Sequence, residues 1–136
     1  DQGLGSIFVV RVAGNCLATT TTASLQYAVH HLKVKVLVVL GHELCGAVKA
    51  AQLPTKLLEQ EPKELSIALR GIKFALGHGK LEGVEDNRAS DREAVTTNTK
   101  KQVETIAADE GIMGKVSSGE LLVVGGFYEI SSGIVD

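Results

Sequence analysis

The run Val34-Lys35-Val36-Leu37-Val38-Val39-Leu40 constrains this chain more than any other stretch, because only Lys35 in it is charged and it stops at Gly41. A near-continuous aliphatic segment, rich in β-branched residues, predicts a strand covered on both faces, the kind found inside a parallel sheet. Ile7-Phe8-Val9-Val10-Arg11-Val12, bounded by Gly5 and Gly14, predicts a second buried strand. Between the two, Leu25, Ala28, Val29 and Leu32 share one helical stripe, and Thr19 to Thr22 supply hydroxyls suited to opening that helix. Parallel neighbours need such a crossover, so strand, helix and strand already point to an α/β domain.

Downstream residues extend the pattern. Gly46 to Ala51 predicts the start of a helix, and Pro54 and Pro62 mark boundaries. Leu65, Ala68, Leu69, Ile72, Ala75 and Leu76 fall on one helix face, and residues 77–89 read as an exposed loop. Ser90-Asp91-Arg92-Glu93 has capping-box spacing for a further helix, which carries Val95, Val103 and Ile106 and ends before Gly111. Leu121 to Val124 opens a last strand, broken by Gly125-Gly126 and resumed at Phe127 to Ile130, with a turn at Ser131-Ser132-Gly133 into Ile134-Val135. The fold class that follows is α/β: a mostly parallel β-sheet flanked by helices, with an antiparallel C-terminal strand or hairpin. The 136 residues suit a single domain, and with 44% hydrophobic residues but no Trp, the interior falls to Val, Leu, Ile and Ala.

Charge excludes some partners. The formal net charge is −2, and no Lys/Arg cluster is dense enough to track phosphates, so no nucleic-acid partner is expected. Lys33 and Lys35, and Lys100-Lys101, read as solvated faces. The apolar runs fall well short of the ~20 residues that span a bilayer, so no membrane insertion is expected. Two cysteines, Cys16 and Cys45, are too few for a disulfide scaffold, which favours a reducing compartment such as cytoplasm or an organelle stroma or matrix. The opening at Asp1 rather than Met, with an apolar run by Ile7, reads as a processed or truncated chain.

His42 and Cys45 sit just past the C-terminal end of the most aliphatic strand, where open α/β sheets bind ligands. Their spacing at the start of a helix puts imidazole and thiol on one side, and both are good zinc donors. A helix N-terminus would also favour the thiolate. The spacing alone equally suits a capping His beside a small buried Cys. A catalytic zinc takes three protein ligands, and the internal candidates are Cys16, His30, His31 and His78. His30 and His31 fall on the polar side of the first helix, His78 lies in a Gly-rich loop, and Cys16 follows the first strand, so none stands out as a third ligand.

Ordered strings now carry a resemblance. Asp1-Gln2-Gly3-Leu4-Gly5 with Phe8-Val9-Val10-Arg11-Val12-Ala13-Gly14-Asn15, then Leu25 to Val34, then Val38-Val39-Leu40-Gly41-His42-Glu43-Leu44-Cys45-Gly46-Ala47-Val48, resemble successive blocks of β-class carbonic anhydrases. Asn98 to Glu104 and Leu121 to Asp136 resemble the closing helix, strand and hairpin. The resemblance implies a β-carbonic-anhydrase-like domain over residues 1–136, with zinc as cofactor and His42 and Cys45 as two of its ligands. It implies a small apolar pocket walled by Phe8, Ala13, Tyr27 and Gly46, with Gln2 beside them, and metal-assisted hydration of carbon dioxide to bicarbonate. It also implies a homodimer or higher homo-oligomer. The family's Cys-x-Asp-x-Arg segment, which supplies the remaining Cys ligand and an Asp–Arg pair, is absent from this sequence, so no catalytic residue is assigned. That segment's strand lies between those corresponding to Ile7–Val12 and Val34–Leu40, and without it the chain is expected to fold poorly alone.

Two readings follow: a zinc-dependent carbonate dehydratase, or a non-catalytic carbonic-anhydrase-like subunit with an incomplete zinc site, serving a structural role in a larger protein assembly. A redox thiol at Cys45 is a third, weaker one.

Overall fold

The computed structural model describes residues 2–77 and 87–136. A 3₁₀ turn at Ala13–Asn15 leads to α1 (Thr19–His30) and β1 (Val36–His42). Then come α2 (Gly46–Ala51), α3 (Thr55–Leu58), α4 (Lys63–Leu76), α5 (Asn87–Ala107), α6 (Glu110–Ser117) and β2 (Leu122–Tyr128). Among the described residues the sheet is β1 beside β2, parallel, with Val36 opposite Leu122 and His42 opposite Tyr128. The chain then doubles back, and Tyr128 bridges Val135 antiparallel while Phe127 and Asp136 exchange both backbone hydrogen bonds. This is the expected α/β order with an antiparallel finish.

Helix α5 organises the interior. Its Ala94 and Val95 join Cys45, Val48, Leu58, Leu69, Ile72 and Phe127 in one buried cluster. Its Ile106 belongs to a second, with Val29, Leu37, Val39, Ile112 and Leu121. The stripe read on α4 is confirmed in Leu69, Ile72 and Leu76, which are buried, whereas Leu65 is exposed. Pro62 is the N-cap of α4 and Pro54 that of α3, so both prolines stand where their missing N–H costs nothing.

Several expectations need correction. Ile7 to Val12 is not a buried strand: it lies outside every strand, and Ile7, Phe8, Val9 and Val12 are exposed. A strand needs a neighbouring strand for its backbone groups, and this segment pairs with none among the described residues; the Val12 carbonyl accepts only from the Asn15 N–H of the 3₁₀ turn. Nor is β1 covered on both faces: Leu37 and Val39 are each 7% exposed against α5, but Val36, Val38 and Leu40 are 51%, 53% and 42% exposed. Composition announced the strand, but covering requires a layer that the described residues do not provide on that face.

The last strand is unbroken through Gly125 and Gly126. A Cβ on Gly125 would come 3.1 Å from Thr99 Cγ2, so that glycine lets α5 lie close on the sheet rather than interrupting it. The Ser90–Glu93 box does not open α5, since the helix already includes Asn87. The next boundary falls at Asp109, which caps α6 by accepting the Ile112 N–H at 2.9 Å and puts Gly111 inside that helix. In α1 the N-cap is Ala18 with no side-chain cap bond, so the Thr19–Thr22 hydroxyls do not serve as caps.

Hydrogen-bond direction also defines the open edge of β1. Leu122 donates to the Lys35 carbonyl and Glu43 donates to the Tyr128 carbonyl, so alternate residues from Lys35 to Glu43 face β2. Val36, Val38, Leu40 and His42 therefore turn their backbone groups the other way. There Asn15 Nδ2 donates to the Leu40 carbonyl at 3.0 Å.

Candidate functional site

The turn between β1 and α2 carries both candidate ligands. His42 ends the strand and is exposed, while Cys45, the N-cap residue of α2, is 6% exposed and packed with Val48 and Ile72. His42 Nδ1 lies 2.9 Å from the Glu43 carbonyl oxygen. A carbonyl only accepts, so Nδ1 carries the proton and the Nε2 lone pair is left for an electrophile. This bond from one ring nitrogen, which fixes the tautomer presented by the other, is the usual support of a metal-bound imidazole.

Neighbouring elements fasten the turn. Leu44, between the two ligands, takes the left-handed conformation at φ 56, and its N–H donates to Asp91 Oδ2 on α5 at 2.8 Å. The Glu43 carboxylate accepts from the Ser131 N–H at 3.1 Å and from Arg88 at 2.9 Å. The Ser131 backbone donor first, with Arg88 adding to it, holds the Glu43 carboxyl below the ordinary carboxylate range. The 3₁₀ turn closes over the end of β1. Asn98 of α5, buried, donates to the Gly14 carbonyl at 2.7 Å, and Gly14 at φ 60 lies so close to Ile72 that a side chain there would collide with it.

Of the other sequence candidates, Phe8 and Tyr27 are brought together with ring centroids 6.4 Å apart, and Tyr27 stacks on His31 at 5.1 Å. Gln2, Ala13 and Gly46 are exposed. His30 and His31 are surface residues, as expected. Cys16 packs against the cluster that contains Cys45, and burial pushes its thiol up, which disfavours the thiolate. His78 and Asp1 lie outside the described residues. Two clefts among the described residues, of about 520 Å³ along α5 and about 130 Å³ between α1 and Leu121, include neither His42 nor Cys45.

Imidazole nitrogen and cysteine sulfur are donors zinc prefers, so the pair fits that ion in kind. Among the described residues no group of three or more His, Cys, Asp or Glu is placed to hold a metal, so His42 and Cys45 stand there as a pair of candidate donors. Sequence reading missed Asp91, Glu43 and Asn98 as its supports. For Asp91 and Asn98 the signal was a polar residue on α5 beside positions given to packing; Glu43 offered none beyond its place next to His42.

Comparison with known proteins decides the family. The carbonic anhydrase family profile matches residues 1–135. This chain belongs to the β-class carbonic anhydrase family. A carbonic anhydrase of Mycolicibacterium smegmatis is 32% identical over all of this chain and 65% of its own length. A tetrameric β-carbonic anhydrase from Sordaria macrospora superposes with a TM-score of 0.88 at 25% identity, covering 98% of this chain and 68% of the other. The Coccomyxa β-carbonic anhydrase, solved with acetazolamide, gives 0.84 at 26% identity over 98% of this chain and 61% of its own. The sequence here thus spans about 65% of the M. smegmatis relative. Among the described residues no helix is long and apolar enough to cross a membrane.

Proposed function

We propose that this chain contributes His42 and Cys45 to a zinc site that hydrates carbon dioxide reversibly to bicarbonate. The observation that carries the reading is the His42–Cys45 turn at the C-terminal end of β1, with His42 Nδ1 engaged by the Glu43 carbonyl and no hydrogen bond at Nε2 among the described residues. His42 would donate Nε2 and Cys45 its thiolate sulfur, and a further donor completes the set. Zinc, when bound, supplies Lewis-acid activation of water. The chain's own residues hold the two donors in register and present apolar surface for a small uncharged substrate. In this reading Phe8, Ala13, Tyr27 and Gly46 would wall the pocket, with Gln2 beside them; the Phe8–Tyr27 ring pair, 6.4 Å apart, and the open space at Gly46 support it. Homo-oligomerisation belongs to the same proposal, supported by the tetrameric Sordaria relative and by the exposed apolar face of β1.

The test is zinc content and carbon dioxide hydration by the purified chain. We expect roughly one zinc per chain and measurable hydration, both abolished by Cys45→Ser. Activity that survives Cys45→Ser would show that Cys45 is not a ligand. The open edge of β1 favours the second reading, a non-catalytic subunit whose sheet is completed by a partner in a larger assembly. A well-folded, zinc-free and inactive protein would select it.

A further inference from the structure

The geometry points to Asp91 as a positioning residue for the half-site, acting through the backbone of Leu44. This rests on the metal-ligand reading of His42 and Cys45 and assigns the residue that holds them in relative place. Leu44 stands between the two donors at φ 56, a conformation that a γ-branched side chain rarely adopts, and it is 70% exposed, so burial does not hold it there. Its N–H donates to Asp91 Oδ2 at 2.8 Å, across 47 residues of sequence. That charge-assisted bond is the fastening of this residue to the helix that anchors the core. The turn is fixed on its other side by Glu43, which joins Ser131 of the C-terminal hairpin and Arg88 of α5. If the Asp91 bond is lost, Leu44 is free to leave the left-handed region, and the relation between His42 and the buried Cys45 is lost with it. Asp91 makes no hydrogen bond to either donor, so its effect on them runs through the chain.

The test uses the full chain in a Cys16→Ser background, metal-free, and follows alkylation of Cys45 by iodoacetamide with amide exchange at Leu44. Asp91→Ala should speed both by about tenfold, the effect of losing one hydrogen bond to a charged acceptor. Asp91→Asn, whose amide oxygen still accepts, should stay within about threefold of the parent. Asp91→Ala should lower the unfolding free energy by no more than the same tenfold, about 1.4 kcal/mol, and Asp91→Asn by less. In Leu44→Gly, which tolerates positive φ, Asp91→Ala should lose most of its effect. Parent-like rates in Asp91→Ala, or Asp91→Asn behaving like Asp91→Ala, would overturn the assignment.

Zinc separates the two claims. If added zinc protects Cys45 in the parent and equally in Asp91→Ala, the metal reading stands and the positioning role fails. If Asp91→Ala accelerates alkylation but zinc protects neither protein, the positioning role stands and the metal reading fails.

Discussion

The two sides of β1 differ sharply. Towards β2 and α5, its odd-numbered residues are buried, its backbone is paired, and Gly41 admits the helix so closely that a Cβ would fall on Thr99 and Val95. On the opposite face Val36, Val38 and Leu40 are exposed, and the edge away from β2 receives the Asn15 amide at one carbonyl. The candidate ligands sit at the end of this strand, and the bonds that fix their turn come from α5 and the C-terminal hairpin, which belong to the closed side. The turn that carries the two candidate donors is therefore organised by what packs on one side of β1.

Core substitutions give the largest contrast between these sides. Leu37→Ala, on the closed face, should cost about 2–5 kcal/mol in denaturant unfolding. Val38→Ala, one residue along, should change stability by no more than about 0.5 kcal/mol at concentrations low enough to keep the chain monomeric. An equal cost at both positions would mean that the exposed face is covered in solution, and a concentration-dependent cost at Val38 would identify a second copy as the cover.

A smaller effect is expected where helix and strand touch. Gly41→Ala would place a Cβ 2.4 Å from Thr99 Oγ1 and 2.7 Å from Val95 Cγ1. The clash should cost about 1–3 kcal/mol, and replacing Val95 with Ala in the same chain should recover part of it.

The smallest effect concerns the cap of α6. Asp109 accepts from the Ile112 N–H and from Gln26 Nε2 at 2.7 Å, and these bonds, the backbone one first, hold its carboxyl below the ordinary carboxylate range. Because the folded pKa is the lower one, its stabilisation is fully present above the ordinary range, about pH 4, and is lost as pH falls through the folded value. Asp109→Ala should remove about 1 kcal/mol at neutral pH and flatten the acid limb of the stability profile. An unchanged acid limb would show that other carboxylates set it.

These contrasts also mark what the sequence could convey. Val34 to Leu40 located β1 and its neighbouring turn, because a strand's own composition reports its type. It could not report which face would be covered, since that depends on segments elsewhere. Ile7 to Val12 has the composition of a strand but no strand beside it among the described residues, so it forms none. Gly125 and Gly126 looked like a break because their reason lies in other segments, Thr99 against one and the Asp136 carbonyl against the other. Asp91 and Asn98 were illegible for the same cause: their partners, Leu44 and Gly14, are 47 and 84 residues away. The position of His42 and Cys45 at the end of β1 was legible because the strand and the turn after it are local in sequence.

The most direct test of the half-site is zinc retained by the purified chain after dialysis, measured for the parent, His42→Ala and Cys45→Ser. The expected result is zinc bound by the parent and lost from both variants while each stays folded. A folded parent that retains no zinc, or variants that retain as much as the parent, would contradict it.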